Sequence, residues 1–196
     1  MNINRNDLRN YFKDGFKPVD MMICRDFDRA APLGTGTVKV GGNYAASLMS
    51  LELAKQKGFS STIYLDAREK KYIDECGPAN FFGIKGKKYI TPKSESVLPS
   101  ITNMSLQQLA THFGYEVERR PVPFEELAEF DEAAECGTAA VITPIKRIVD
   151  PVAGKEFKYG NGEAGPVCTH LYKEYTAIQF GESPDPFGWT EVIDFK

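Results

Sequence analysis

A glycine-rich stretch around a single lysine constrains this chain more than any other segment. Residues 34–47 read GTGTVKVGGNYAAS, with four glycines around Lys39 and a helical pattern directly after them. Glycines concentrated in this way permit unusual backbone angles or the close approach of a ligand to the main chain. The stretch therefore predicts a tight turn that leads into a helix, with Lys39 in the turn.

Two common phosphate-binding motifs do not fit this stretch. A P-loop ends in Gly-Lys-Ser or Gly-Lys-Thr, whereas Lys39 lies between Val38 and Val40. A dinucleotide-binding fingerprint that starts at Gly34 would need a small residue at position 39. Two interpretations of Lys39 remain open. It is either a partly desolvated lysine, whose neutral amine can attack an aldehyde to form an imine, or a surface lysine in a flexible loop.

The composition excludes several classes of protein. Hydrophobic residues make up 42% of the 196 residues, and the formal net charge is -3 with both signs mixed along the chain. No apolar run approaches the roughly 18 residues of a membrane helix, and the first residues lack the apolar core of a signal peptide. We therefore expect a cytoplasmic protein that binds neither nucleic acid nor membrane. The four cysteines form no CxxC pair, so we expect reduced thiols and no metal site.

Hydrophobic periodicity predicts an α/β (α+β) chain in which strands outnumber helices. Residues 1–10 are interpreted as a lead-in and residues 11–196 as one domain. The predicted helices cover residues 43–57, 102–113, 124–130 and 166–180. The predicted strands cover residues 61–66, 70–76, 80–84, 87–91, 115–122, 132–136 and 139–149, and 154–165 is predicted to be a Gly-rich loop. Asn43 and Thr102 are the expected N-caps of the first two helices, which Gly58 and Gly114 are expected to end.

Several segments, in order along the chain, resemble the branched-chain amino-acid aminotransferases, which are pyridoxal-phosphate enzymes of fold type IV. KVGGNY, which starts at Lys39, resembles the family's lysine motif, and residues 65–82 resemble the segment whose acid faces the pyridine nitrogen. SVLPSITNMSLQQLA (96–110) and ECGTAAVITPI (135–145) resemble its two phosphate-binding segments. The resemblance runs from about residue 11 to residue 193. It implies the large C-terminal domain of the D-amino-acid aminotransferase-like fold, with a mixed sheet or pseudo-barrel and flanking helices.

The resemblance also implies which residues bind pyridoxal 5'-phosphate. The cofactor-binding residues would be Lys39, Tyr44, Glu75, Leu98, Ile101, Thr102, Gly137 and Thr138. Lys39 would form the Schiff base and shuttle the proton, Glu75 would pair with the pyridine nitrogen, and Tyr44 would donate to the phenolic oxygen. Thr102 would contact the phosphate, and the backbone N–H of Ala139 would lie near the substrate carboxylate. Without the resemblance, Glu75 would be interpreted as a solvated charge and Thr102 as a simple N-cap.

The implied function is the transamination of branched-chain amino acids with 2-oxoglutarate, and the alternative is a non-catalytic pyridoxal-phosphate-binding remnant or subunit. A type IV lyase or a D-amino-acid aminotransferase fits the motifs less well. Members of the family carry a smaller N-terminal domain, which supplies an arginine to the cofactor phosphate, and none of Arg5, Arg9, Arg25 and Arg29 lies in a matching motif. We therefore expect weak or no activity from the isolated chain. We also expect a homo-oligomer, or a separate chain that supplies the N-terminal domain.

Overall fold

The computed structural model describes residues 16–193, so the predicted lead-in at 1–10 lies outside the described residues. Within the described range, ten strands form one mixed sheet, accompanied by three α-helices and one 3₁₀ helix. The helices are α1 (Gly41–Gln56), α2 (Ile101–His112), the 3₁₀ helix (Phe124–Glu129) and α3 (Pro166–Gln179). The strands are β1 (Val19–Cys24), β2 (Ser61–Leu65), β3 (Tyr72–Cys76), β4 (Asn80–Lys85), β5 (Lys88–Pro92), β6 (Glu116–Arg120), β7 (Val122–Pro123), β8 (Glu132–Gly137), β9 (Val141–Asp150) and β10 (Lys155–Lys158).

The sheet curls towards a barrel. Its strand order is β6-β5-β4-β8-β9-β1-β2-β3-β7, and β10 pairs with β9 outside this path. β3 and β4 are therefore separated by four strands, and a flat sheet would hold them about 24 Å apart. Only residues 77–79 connect them, and such a link spans at most about 14 Å. The mixed sheet expected from the resemblance is confirmed, and the short link gives it the curvature of a pseudo-barrel.

Two apolar clusters cover the two faces of this sheet. Phe81 belongs to one cluster and Phe82 to the other, because successive side chains of a strand point to opposite faces. The first cluster packs around the 3₁₀ helix through Phe124 and Leu127. The second cluster is covered by α2 and α3, whose apolar stripes bury side chains such as Leu106. The two clusters hold β3, β4 and β8 in fixed positions, which is the part of the sheet that carries the candidate site.

Helix α1 packs differently from α2 and α3. Its buried residues are Asn43, Ser50 and Ala54, which are small or polar, and the Ser50 hydroxyl hydrogen-bonds to the buried Tyr64 hydroxyl of β2. No continuous apolar stripe faces the sheet here, because Leu48 is 65% exposed. Small residues at the contact let α1 approach β2 closely, and the larger apolar side chains of the helix point away from the sheet.

Both predicted N-caps are wrong. α1 begins after Val40, and its cap makes no side-chain hydrogen bond. α2 is capped by Ser100, whose Oγ accepts the N–H of Asn103, so that Thr102 lies inside the first turn. The predicted C-terminal glycines are confirmed, since Gly58 and Gly114 adopt φ values of 82° and 78° directly after the helices.

Two strands are absent from the predicted set. β1 is a central strand, parallel to both β2 and β9. β10 lies within the segment predicted as a loop and pairs with β9 in antiparallel fashion. Its side chains are mostly exposed, so the segment has no buried face to produce an alternating pattern. Proline at position 121 also divides the predicted strand 115–122 into β6 and β7, because proline has no N–H to donate.

Candidate active site

A cavity of about 520 Å³ opens where four segments meet: the turn before α1, the link between β3 and β4, the start of α2, and the turn between β8 and β9. Eight of the nine residues predicted to bind cofactor or substrate line it. They are Lys39, Tyr44, Glu75, Leu98, Ile101, Gly137, Thr138 and Ala139. Thr102, the ninth, is buried in α2 and does not line the cavity wall.

The turn before α1 presents Lys39 at the cavity. The Lys39 side chain is exposed to solvent, so of the two interpretations left open by the sequence the structure agrees with the surface lysine. Its Nζ lies 5.4 Å from the centre of the Tyr44 ring, a distance at which a cation is attracted to an aromatic face. Among the described residues, a Cβ at Gly41 or Gly42 would meet nothing within 4 Å, so none of them packs closely over these two glycines.

Asn43 holds this turn in place. Its Nδ2 donates to the carbonyl oxygens of Thr35 at 2.7 Å and Val38 at 2.9 Å. Its Oδ1 accepts the Thr35 hydroxyl at 2.8 Å. Three hydrogen bonds from one buried side chain thus fix the backbone on the N-terminal side of Lys39. The sequence predicted a capping role for Asn43, and the structure gives it a role in shaping the turn.

Glu75 is the next-to-last residue of β3 and lines the cavity. The residue is 3% exposed. Its Oε2 accepts the Asn80 amide at 2.8 Å and the backbone N–H of Leu98 at 3.2 Å, and its Oε1 forms an ion pair with Arg29. Burial raises the pKa of Glu75 to about 7, against the opposing effects of Arg29, the Leu98 N–H and Asn80. Glu75 is therefore a buried acid that changes protonation state near neutral pH, which the sequence alone did not indicate.

Arg29 is a residue that the sequence analysis left without a role. It is 8% exposed, and its guanidinium also donates to the carbonyl oxygens of Ser96 at 2.8 Å and Gly36 at 3.4 Å. A side chain at Gly36 would clash with the Ser96 backbone, so glycine is required where the two loops meet. Arg29 thus ties the Lys39 turn to the loop before α2 and to Glu75. No local pattern marks it, because its partners lie 46 and 67 positions further along the chain.

Two segments rich in backbone N–H groups border the cavity. One is the first turn of α2, which has no acidic side chain and whose first N–H groups have no carbonyl partner within the helix. The other is the turn between β8 and β9, which includes Thr138 and Ala139 and ends at Val141 with a φ of 59°. N–H groups at a helix start attract anions, so this edge of the cavity suits a phosphate or a carboxylate.

Comparison with known proteins identifies the family. Residues 11–148 match the family described as amino-transferase class IV. The chain belongs to the class IV aminotransferases. The resemblance to the branched-chain members is also confirmed, since the chain is 51% identical over 192 residues to a branched-chain-amino-acid aminotransferase of Haemophilus influenzae. That match covers 94% of this chain and 55% of the relative.

Other class IV relatives give the same result. A branched-chain-amino-acid aminotransferase of Helicobacter pylori is 47% identical over 182 residues, covering 91% of this chain and 52% of the relative. The solved branched-chain amino acid aminotransferase of Escherichia coli superimposes with a TM-score of 0.79 at 33% identity, over 91% of this chain and 56% of that one. The chain thus spans about half the length of the curated relatives it matches.

One solved relative, a T.th. branched-chain amino acid aminotransferase, was determined in complex with N-(5'-phosphopyridoxyl)-L-glutamate. It is 28% identical, with a TM-score of 0.77 over 89% of this chain and 56% of that one. Over residues 16–193, no helix of the class IV chain is long and apolar enough to cross a membrane.

Proposed function

We propose that the cavity binds pyridoxal 5'-phosphate and that the chain takes part in the transamination of branched-chain amino acids with 2-oxoglutarate. The observation that carries this proposal is the meeting of Lys39, Glu75 and two anion-attracting segments around one cavity. Its volume lies within the range of about 300–1,000 Å³ that is usual for small-molecule and cofactor sites. The residues therefore fit an aromatic aldehyde that carries a phosphate and a basic ring nitrogen.

Each wall of the cavity supplies one requirement of that cofactor. Glu75 offers a carboxylate to a protonated ring nitrogen, and Arg29 and Asn80 keep its two oxygens in place. Lys39 offers an amine at the mouth, where a substrate can reach it. The first turn of α2 and the turn that includes Thr138 offer N–H donors to the phosphate. Hydrogen bonds to a charged group contribute about 1.5–3 kcal/mol each, so several of them hold a phosphate firmly.

The chemistry divides between the cofactor and the chain. When bound, pyridoxal 5'-phosphate supplies an electron-withdrawing ring that stabilises negative charge on the substrate carbon. Glu75 keeps the proton on the ring nitrogen, which makes the ring electron-withdrawing. The Nζ atom of Lys39 anchors the cofactor and moves the proton during transamination. The N–H of Ala139 orients the substrate carboxylate. A branched-chain substrate agrees with the named activity of the Haemophilus influenzae and Helicobacter pylori relatives.

A second candidate is pyridoxal-phosphate binding without turnover, by a subunit or remnant. The exposure of Lys39 favours this second candidate, because water has free access to the lysine amine at the mouth of the cavity. We further propose a cytoplasmic location and either a homo-oligomer or a partner chain that completes the cavity.

A spectral titration combined with an activity assay separates these functions. Pyridoxal 5'-phosphate added to the purified chain should produce a new absorption band, which Lys39→Ala should abolish and Lys55→Ala, on the exposed face of α1, should retain. Glu75→Gln should bind the cofactor almost normally but should transaminate leucine, isoleucine and valine more slowly. Binding without turnover would favour the second candidate. A band that persists in Lys39→Ala would contradict both.

A further inference from the structure

A second buried acid, Glu135, lies in the same cavity and has no part in the function proposed above. It stands on β8, between Phe81 of β4 and Thr143 of β9, and is 6% exposed. The residue lines the cavity, and its Oε2 is buried without a hydrogen-bond partner among the described residues. A buried polar atom without a partner is rare, because leaving it unpaired costs free energy. The atom therefore marks a position where a ligand can contribute the missing bond.

The surroundings of Glu135 favour its neutral form. The titratable groups that interact with it are the thiols of Cys76 on β3 and of the neighbouring Cys136, and no ion pair within residues 16–193 involves Glu135. Of the charged residues around the cavity, Arg29 and Glu75 are already paired with each other, and Lys39 is exposed at the mouth. Burial raises the pKa of Glu135 to about 7, against the opposing effect of a hydrogen bond with Cys76. At and below neutral pH the carboxyl can therefore act as a donor.

Glu135 lies on β8 close in sequence to the edge of the cavity that suits an anion. Residues two apart on a strand point to the same face and lie about 7 Å apart, so Glu135 and Gly137 share the side of β8 that borders the cavity. Thr138 and Ala139 follow directly, in the turn whose N–H groups suit an anion. An ionised Glu135 would repel such an anion, whereas a protonated one can donate to it.

We propose that Glu135 is a further ligand-binding residue, which donates its carboxyl O–H to a phosphate oxygen of the cofactor held beside Gly137 and Thr138. This proposal rests on the function proposed above. The proton is taken up from solvent when the ligand binds, or is already present at low pH. Cofactor affinity should therefore fall as pH rises, in a way that depends on Glu135.

Pyridoxamine 5'-phosphate is the suitable probe, because it has no aldehyde and binds without a bond to Lys39. Its dissociation constant would be measured at pH 6 and pH 8.5 for the wild type, Glu135→Gln, Glu135→Ala and the exposed control Glu163→Gln. Each dissociation constant is divided by that of Glu135→Gln at the same pH, which removes the effect of the probe's own protonation on its binding. Relative to Glu135→Gln, the wild type should bind equally well at pH 6 and about tenfold more weakly at pH 8.5. Glu135→Ala should bind about tenfold more weakly at both pH values.

Calorimetry of the wild type and Glu135→Gln gives a second, independent readout. Binding at pH 8 in buffers of different ionisation enthalpy should show proton uptake of up to one per site, which Glu135→Gln reduces. An identical pH dependence in the wild type and Glu135→Gln, or unchanged proton uptake, would overturn the role of Glu135 and leave the proposed function intact. A failure of every protein, the wild type included, to bind the probe would overturn both.

Discussion

At the scale of single residues, the candidate site depends on how Glu75 is balanced between burial and its partners. Burial favours the neutral acid, whereas Arg29 and the hydrogen bonds from Leu98 and Asn80 favour the carboxylate, and the resulting pKa lies at about 7. A carboxyl group in this balance responds strongly to the loss of a single partner. Arg29 is therefore the side chain through which the acid can be adjusted most directly.

Replacing Arg29 by Gln should raise the pKa of Glu75 further, because the cation that stabilises the carboxylate is removed. The acid would then be neutral over a wider pH range, and the acidic limb of the activity profile should move upwards by about one pH unit or more. Arg29→Lys should restore part of the shift, whereas a merely structural role would lower activity equally at all pH values. The profile of kcat against pH, measured with any partner chain that activity requires, decides between them.

Glu135 should also influence folding stability with a definite sign. Its folded pKa of about 7 lies above the ordinary value of 4.5, so the fold favours the protonated acid. The stability from this group is fully present below about pH 4.5 and is lost as pH rises through 7. Glu135→Gln should therefore be more stable than the wild type by about 3 kcal/mol at pH 8, but by less than about 1 kcal/mol at pH 5. Urea unfolding of the ligand-free chain at both pH values checks this, and a difference that does not change with pH would contradict it.

At the scale of elements, the turn before α1 depends partly on its own sequence and partly on hydrogen bonds that the sequence does not predict. The glycines and the helix after them follow from the sequence, but the hydrogen bonds of Asn43 back to Thr35 and Val38 do not. A capping residue and a residue that clamps a turn have the same sequence signature, since both are asparagines just ahead of a helix. Only the positions of the carbonyl groups distinguish them.

Asn43→Ala should loosen this turn. The loss of two buried amide donors should lower the free energy of unfolding by about 1–3 kcal/mol. It should also slow the reaction of Lys39 with pyridoxal 5'-phosphate, because the lysine is no longer held at the mouth. Ser47→Ala, which removes an exposed hydroxyl from the same helix, is the matched control. Equal reaction rates for the two variants would show that the clamp does not position Lys39.

The elements that the sequence did not predict share one physical cause. VDMMIC, the sequence of β1, is a short apolar run without alternation, and such a run becomes a strand only between the neighbours that the fold supplies. β10 is mostly exposed and is specified by its pairing with β9.

The ion pair of Arg29 with Glu75 likewise joins segments far apart in the sequence. The family resemblance predicted eight of the residues that line the cavity, because the family's motifs consist of the residues that take part in its chemistry. It could not predict the partner residues that set the protonation states of those eight.

At the scale of the whole molecule, the described chain leaves a large apolar surface uncovered. Leu48 and Met49 on α1 are 65% and 59% exposed, and Val38 and Ile101, at the cavity mouth, are 51% and 70% exposed. Exposed apolar groups of this size on a small protein usually mark a contact surface. In the relatives, nearly half of the chain has no counterpart in the present sequence.

We therefore expect the isolated chain to self-associate. Sedimentation velocity should show an average mass that rises with concentration, because burying these side chains removes apolar area from water. The double variant Leu48→Glu with Met49→Lys should remain monomeric to higher concentration, whereas Lys55→Glu on the same helix should behave like the wild type. A wild-type chain that stays monomeric at every protein concentration would show that burial of these side chains does not drive association.

The attachment of the cofactor to Lys39 is the central claim, and one measurement tests it directly. The purified chain would be incubated with pyridoxal 5'-phosphate, reduced with borohydride, digested and mapped by mass spectrometry. We expect a single modified peptide that carries the label on Lys39, because this lysine lines the cavity and the other lysines of the described chain do not. A label spread over surface lysines such as Lys55 and Lys57, or no label at all, would contradict the account.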